Sequence, residues 1–174
     1  MYTIGIDPGC PLTIGVLRDG KPANIFEYEA VAVQVLKAGR KNPSWVNQAA
    51  LIKNALVSVR DTARAAGTKP FAVIEQVTIR PTESLSSGIP FVGSMFLAEG
   101  ICAGLGIRYK IVAPSKWKPA MNIKVPRKKP KEPARLRALQ EWPDYAHMFT
   151  RQMDHNRAEA LLLAKYWLEH GDQS

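Results

Sequence analysis

The sequence has only two cysteines, Cys10 and Cys102, in 174 residues. They lie far apart and have no companion His and Cys at zinc-ligand spacing, so neither a disulfide framework nor a zinc module is expected. No apolar run reaches the roughly 18 to 20 residues that span a bilayer, and no charged leader followed by an apolar stretch opens the chain. These shortages predict a soluble, reduced, cytoplasmic protein without a membrane partner. Internal repeats and linker-like stretches are lacking as well. With 46% hydrophobic residues, the length suits one well-filled core and a single domain over residues 1–174.

Acidic residues are scarce in one place only. From Lys110 to Arg137 ten basic residues face a single acid, Glu132, and this stretch accounts for the whole net charge of +9; the remaining residues balance at fourteen of each sign. Concentrated positive charge attracts polyanions and gains affinity by releasing counterions from phosphates. A solvated lysine-rich loop is the plainer alternative, and Trp117 and Pro126 suit a shaped loop better than an amphipathic membrane helix.

Alternation in Tyr2–Asp7 places Tyr2, Ile4 and Ile6 on one face of a strand and Thr3, Gly5 and Asp7 on the other. Two more strands, residues 13–18 and 25–28, follow around an Asp19-Gly20 turn. Ser44 is placed to cap a helix that runs to a stop at Gly67. Phe71–Glu75 reads as a strand parallel to the first. A polar loop over 76–90, an apolar helix over 91–106, a strand over 108–112, a basic loop over 113–130, a short basic helix over 131–140 and a last helix from about Asp154 to His170 complete the order. Gly100 and Gly104 read as close-packing positions. The layout is α/β, with helices packed on a mixed sheet.

Asp7 and Glu75 each end a strand, and Glu159 shares a helical stripe with Leu162, Leu163 and Tyr166 near the start of the last helix. An acid ending a strand is usually a turn former or cap. Two on matching strands, with a third facing inward, fit two-metal phosphodiester hydrolysis instead. That chemistry needs oxygen ligands from separate elements holding ions about 4 Å apart, one activating water and the other stabilising the leaving oxygen. Asp154 is either the N-cap of the last helix or a further ligand. His155 and Asn156, four and three residues before Glu159, are able to share its face.

In order, Ile4-Gly5-Ile6-Asp7-Pro8-Gly9, Val73-Ile74-Glu75, Pro114-Ser115-Lys116-Trp117-Lys118 and Asp154 through Ala164 resemble the RuvC family of Holliday junction resolvases over nearly the whole chain. Phage and prophage members are the nearest in pattern. The resemblance implies a ribonuclease H-like fold with a mixed five-stranded sheet and helices on both faces. It also implies a homodimer on a four-way DNA junction and paired nicks in the cytosol of a bacterium or phage-infected host. Two Mg2+ or Mn2+ ions per site would be held by Asp7, Glu75, Asp154 and Glu159, with Asp7 bridging them and His155 the rival to Asp154. Lys116, Lys118, Lys124, Arg127, Lys128, Lys129 and Lys131 would hold the DNA backbone, and Lys116 or Lys118 would offset charge in the transition state.

The sequence departs from the family pattern in two places. Asn156 stands where a carboxylate is common, either as a replacement that inactivates the site or with Asp154 taking over from the N-cap. Thr78 and Ile79 stand where an aromatic wedge is common, which leaves Phe91 or another loop residue for that task. Three rival readings follow: a branched-DNA or flap nuclease, a junction-binding protein that does not cut, and an actin-like ATPase or sugar kinase. The last is disfavoured because no second glycine-rich phosphate loop accompanies Glu75.

Overall fold

A computed structural model describes residues 1–9, 12–28, 45–79, 84–124 and 132–171. Three antiparallel strands come first: β1 (Tyr2–Asp7), β2 (Leu12–Arg18) and β3 (Lys21–Tyr28). The β2–β3 turn is the expected Asp19-Gly20 pair, both in the left-handed region at φ 51° and 79°. Helix α1 (Trp45–Ala65) returns the chain to β4 (Phe71–Glu75), which pairs with β1 in parallel, and α2 (Leu85–Gly104) leads to β5 (Arg108–Val112), parallel to β4. The sheet order is β3-β2-β1-β4-β5. Helices α3 (Pro114–Ala120), α4 (Glu132–Glu141) and α5 (His155–His170) follow, with two 3-10 turns over Pro143–Phe149 and Gln152–Asp154.

Strand parity divides the core into two layers. Ile4, Ile6, Ile14, Val16, Ala72 and Ile74 pack under α1 and α2 against Ile52, Leu56, Val59 and Cys102. On the other face Val73 and Val112 pack with Trp117, Phe149, Leu161 and Leu162 of the C-terminal helices. The sheet therefore carries helices on both faces, and the face opposite Ile4 and Ile6 belongs to α5.

Gly5 and Gly15 are cross-strand partners in β1 and β2. A Cβ on Gly5 would lie 1.8 Å from the carbonyl oxygen of Ala160, and one on Gly15 would lie 2.9 Å from the Leu161 nitrogen. Absent side chains let the α5 backbone rest directly on the sheet. The same contact brings the start of α5 toward the end of β1.

Two expectations change. The apolar helix begins at Leu85, not Phe91, and contains Pro90; proline removes one ladder donor and strains a helix without forbidding helical residues before it. The basic loop contains α3, whose Trp117 is fully buried. The short basic helix is described over Glu132–Glu141, and Lys131 lies outside the described residues. Ser44 and its proposed cap lie outside the described residues. No described helix is long and apolar enough to cross a membrane.

Candidate active site

Parity that buries Ile6 and Ile74 on one side sends Asp7 and Glu75 to the other. The β1–β4 register pairs Ile6 with Ile74, so Asp7 and Glu75 follow side by side at the C-terminal ends of adjacent central strands. Both are buried, at 6% and 9% exposure. Glu159 enters from the first turn and a half of α5, which lies on this same face.

Lys118 of α3 ties the group together. Its Nζ donates to Glu159 Oε2 at 3.0 Å and lies 3.4 Å from Glu75 Oε1. Trp117 Nε1 donates to the same Glu75 oxygen at 3.0 Å. Asp7 accepts from the Gly9 backbone N–H at 2.9 Å, and a side chain on Gly9 would crowd that carboxylate. Thus β1, β4, α3 and α5 each contribute one member of a set in which Asp7 and Glu75 are buried and Glu159 and Lys118 are partly buried.

The electrostatics follow from that imbalance. Burial raises the Asp7 carboxyl well above the ordinary range; Glu75 and then Glu159 push it further, and the Gly9 N–H and Lys118 only partly oppose them. Glu75 is raised by burial and by Glu159, against the pull of Lys118 and Trp117. Burial works against the Lys118 ammonium, but Glu159 and Glu75 outweigh it and hold its pKa above the usual lysine value. One resident positive charge faces three carboxylates.

The chemistry of the donors fits a hard divalent cation, which takes carboxylate oxygens from several elements. As placed, the carboxylates are spread around the Lys118 ammonium rather than closed on a common point: among the described residues no group of three or more His, Cys, Asp or Glu is arranged to hold a metal ion. Lys118 thus stands where positive charge is required, and a divalent ion would have to share or take over its contacts.

The expected fourth ligand is placed differently. Asp154, 1% exposed, accepts from Arg151 through the backbone N–H at 2.8 Å and through Nε and Nη2 at 3.0 and 2.8 Å, while Arg157 approaches to 3.7 Å. Burial would raise its carboxyl, but these arginine contacts prevail and hold it low. It occupies the N-cap position of α5 yet makes no side-chain cap bond there; its carboxylate closes the preceding turn instead. His155 directs Nδ1 at the Gln152 carbonyl oxygen, 3.1 Å away, and its Nε2 is buried without a partner. Asn156 is 5% exposed, one turn before Glu159 on the same face of α5.

Lys116 and Lys124 are exposed. Lys118 and Lys124 line a pocket of about 510 Å³ with Pro114, Asn122 and Ile123, so this pocket adjoins the acids. Arg127, Lys128, Lys129 and Lys131 lie outside the described residues. Ile79 packs against Gly88 of α2, and Phe91 is half-buried on that helix. Sequence reasoning assigned Lys118 to DNA and Trp117 to a loop. The available signal was a tryptophan within a lysine-rich run, since a large apolar ring there must find a core.

This strand order and helix placement match solved structures. RuvC of Thermus thermophilus in complex with a Holliday junction substrate superposes with a TM-score of 0.59 at 14% identity, covering 98% of this chain and 96% of that one. A second Thermus thermophilus RuvC structure gives 0.59 at 15% identity, with 98% and 97% coverage. The chain has a RuvC-like fold. No family model matches the sequence, and no curated protein matches it.

Proposed function

We propose that the chain is a metal-dependent DNA endonuclease, a single nuclease domain over residues 1–174 that resolves four-way junctions by paired nicks. One observation carries the reading: Asp7, Glu75 and Glu159, far apart in sequence, enter one buried site at the C-terminal edge of the parallel strands. Burial of like charges is costly unless a cation is present. The RuvC-like fold with a junction-bound neighbour directs the choice of substrate to branched DNA.

Asp7, Glu75 and Glu159 would hold Mg2+ or Mn2+, with Asn156, His155 or a reoriented Asp154 completing the set. Such ions, when bound, supply Lewis-acid stabilisation of charge on the phosphoryl group and favour ionised water near neutral pH. The chain's own residues do the rest. Gly9 N–H and Trp117 Nε1 each fix one carboxylate oxygen, so Asp7 and Glu75 present their remaining oxygens toward the site. Lys118 offsets part of the acids' charge before the substrate arrives and, with Lys116 and Lys124, offers positive charge to an incoming phosphate. Ile89 and Phe96, 50% and 59% exposed and two turns apart on α2, would offer apolar contacts to a second copy of the chain.

A nick assay on synthetic four-way junctions with Mg2+ or Mn2+ tests the reading, with flap and plain duplex substrates run beside it. Metal-dependent paired nicks that require Asp7 support it; an Asp7→Asn protein that cuts as fast as its parent refutes it. A second reading, junction binding without cleavage, draws on the neutral Asn156 and the Lys118 ammonium seated between two acids. Binding with no nicking above background in either metal would favour that reading.

A further inference from the structure

At the edge of the sheet opposite the carboxylates, α1 and α2 end on similar caps. Gly67 and Gly106 adopt φ of 68° and 65° and turn the chain into β4 and β5, and the N–H groups of Thr68 and Ile107 close back on the carbonyl oxygens of Ala63 and Cys102 at 2.9 Å. Between the two caps lies a pocket of about 350 Å³ walled by Arg60, Arg64, Lys69 and Arg108. Asp61 pairs with Arg60 at 2.8 Å. Arg64 also acts on Asp61 at longer range, yet among the described residues neither Arg64 nor Lys69 has a carboxylate within 4 Å, and the Arg108 guanidinium lies over the Phe71 ring at 5.7 Å, which holds its fork at the rim.

The ends of two helices account for part of this charge. Each carries about half a negative charge, so the two dipoles and Asp61 together offset about two of the four cations. Lys69 and Arg108 also lie beyond the helices, in the segments that open β4 and β5. The unbalanced remainder faces a concave space of the size that takes a small anionic group.

We infer that this pocket is a second phosphate-binding site, which holds the sugar-phosphate backbone of a DNA segment other than the one at the carboxylates. Phe71 and Glu75 are the two ends of β4, four residue steps of about 3.3 Å apart, so the pocket and the acids are separated by about 13 Å of sheet and open at opposite edges. A branched substrate, which carries more than one backbone segment, can seat one at the acids and another at the pocket. The inference rests on the DNA reading proposed above. It adds an anchoring contact away from the chemistry.

The test is fluorescence anisotropy in EDTA, with a four-way junction and a short duplex, across a salt series. Compared with wild type, R64E/K69E is expected to bind the junction roughly tenfold more weakly and to lower the slope of log affinity against log salt by about two. The loss should be smaller for the short duplex. Melting curves check folding, and R64Q/K69Q, which removes charge without reversing it, should show a smaller effect in the same direction and decides the matter should the reversed variant unfold. Wild type that binds DNA, with both variants matching it in affinity and slope, overturns the second site and leaves the nuclease reading standing. Wild type that binds neither DNA overturns the nuclease reading itself. Variants that keep DNA affinity but lose poly-L-glutamate binding would replace the inference with an acidic protein partner.

Discussion

The two edges of the central sheet are built from the same strands and carry opposite chemistry. At the C-terminal edge of β1 and β4 the buried Asp7 and Glu75 meet the partly buried Glu159, and Lys118 pairs with Glu75 and Glu159. At the N-terminal edge of β4 and β5 four cations surround a pocket with Asp61 paired to one of them. The acid edge is enclosed by α3 and α5, whereas Arg64, Lys69 and Arg108 are exposed to water. Burial makes the difference. A charge shift in the enclosed site alters pKa values, but one in the exposed pocket alters attraction at a distance, which salt screens.

That contrast yields ordered predictions. Asp7→Asn should have the largest effect, lowering metal-dependent nicking at least about 10²-fold while junction binding in EDTA changes little; equal loss of both would mean that the acid edge serves binding as well. Gly5→Ala comes next. Its methyl must displace the Ala160 carbonyl and lift α5 from the sheet, at a cost of about 3 kcal/mol, read as a melting temperature lower by roughly 6–12 °C. An unchanged melting temperature would show that α5 is not seated as described.

Lys118→Met should lower the melting temperature of the metal-free protein by a comparable amount, because it removes the partner of two buried acids. Mn2+ should recover more stability in this variant than in wild type, and equal metal-induced shifts would argue against competition between the ammonium and the ion. The pH dependence carries the same signature. Asp7 and Glu75 are raised in the folded protein, so their contribution is fully present below the ordinary carboxylate pKa and is lost as pH rises through their folded values. Metal-free protein should therefore lose stability from mildly acidic toward neutral pH, less so in Asp7→Asn, and divalent metal should flatten the loss. Phe96→Glu should have the smallest effect on melting, yet sedimentation should show a dimer converted to monomer; an unchanged sedimentation coefficient would remove α2 as the contact face.

The acid edge was largely legible in the chain. Alternation in Tyr2–Asp7 and the short run Phe71–Glu75 determine which side each acid takes, and the stripe through Glu159 turns it inward; parity and helical period are local properties that packing did not override. Asp154 was obscured by competition, because Arg151 and Arg157, three residues to either side, satisfy it where it stands. Helix α3 was hidden because a seven-residue element rich in lysine and proline has no apolar period, and the start of α2 because Pro90 looked like a boundary. The basic pocket was invisible for a different reason. Its four cations come from residues 60, 64, 69 and 108, where a tally along the chain finds no excess, and only the return of two helices to adjacent strands brings them together.

The glycine pair beneath α5 bears on how steady the spacing of the acids is. Helices usually ride on sheets over a cushion of side chains, whose rotamers adjust when neighbours change. Here peptide groups of α5 rest against peptide groups of β1 and β2, so direct main-chain contact helps to set the reach from Asp7 to Glu159. Substitutions among the surrounding apolar residues can accumulate without altering that gauge, and a sequence may drift far while its two outermost acids remain the same distance apart.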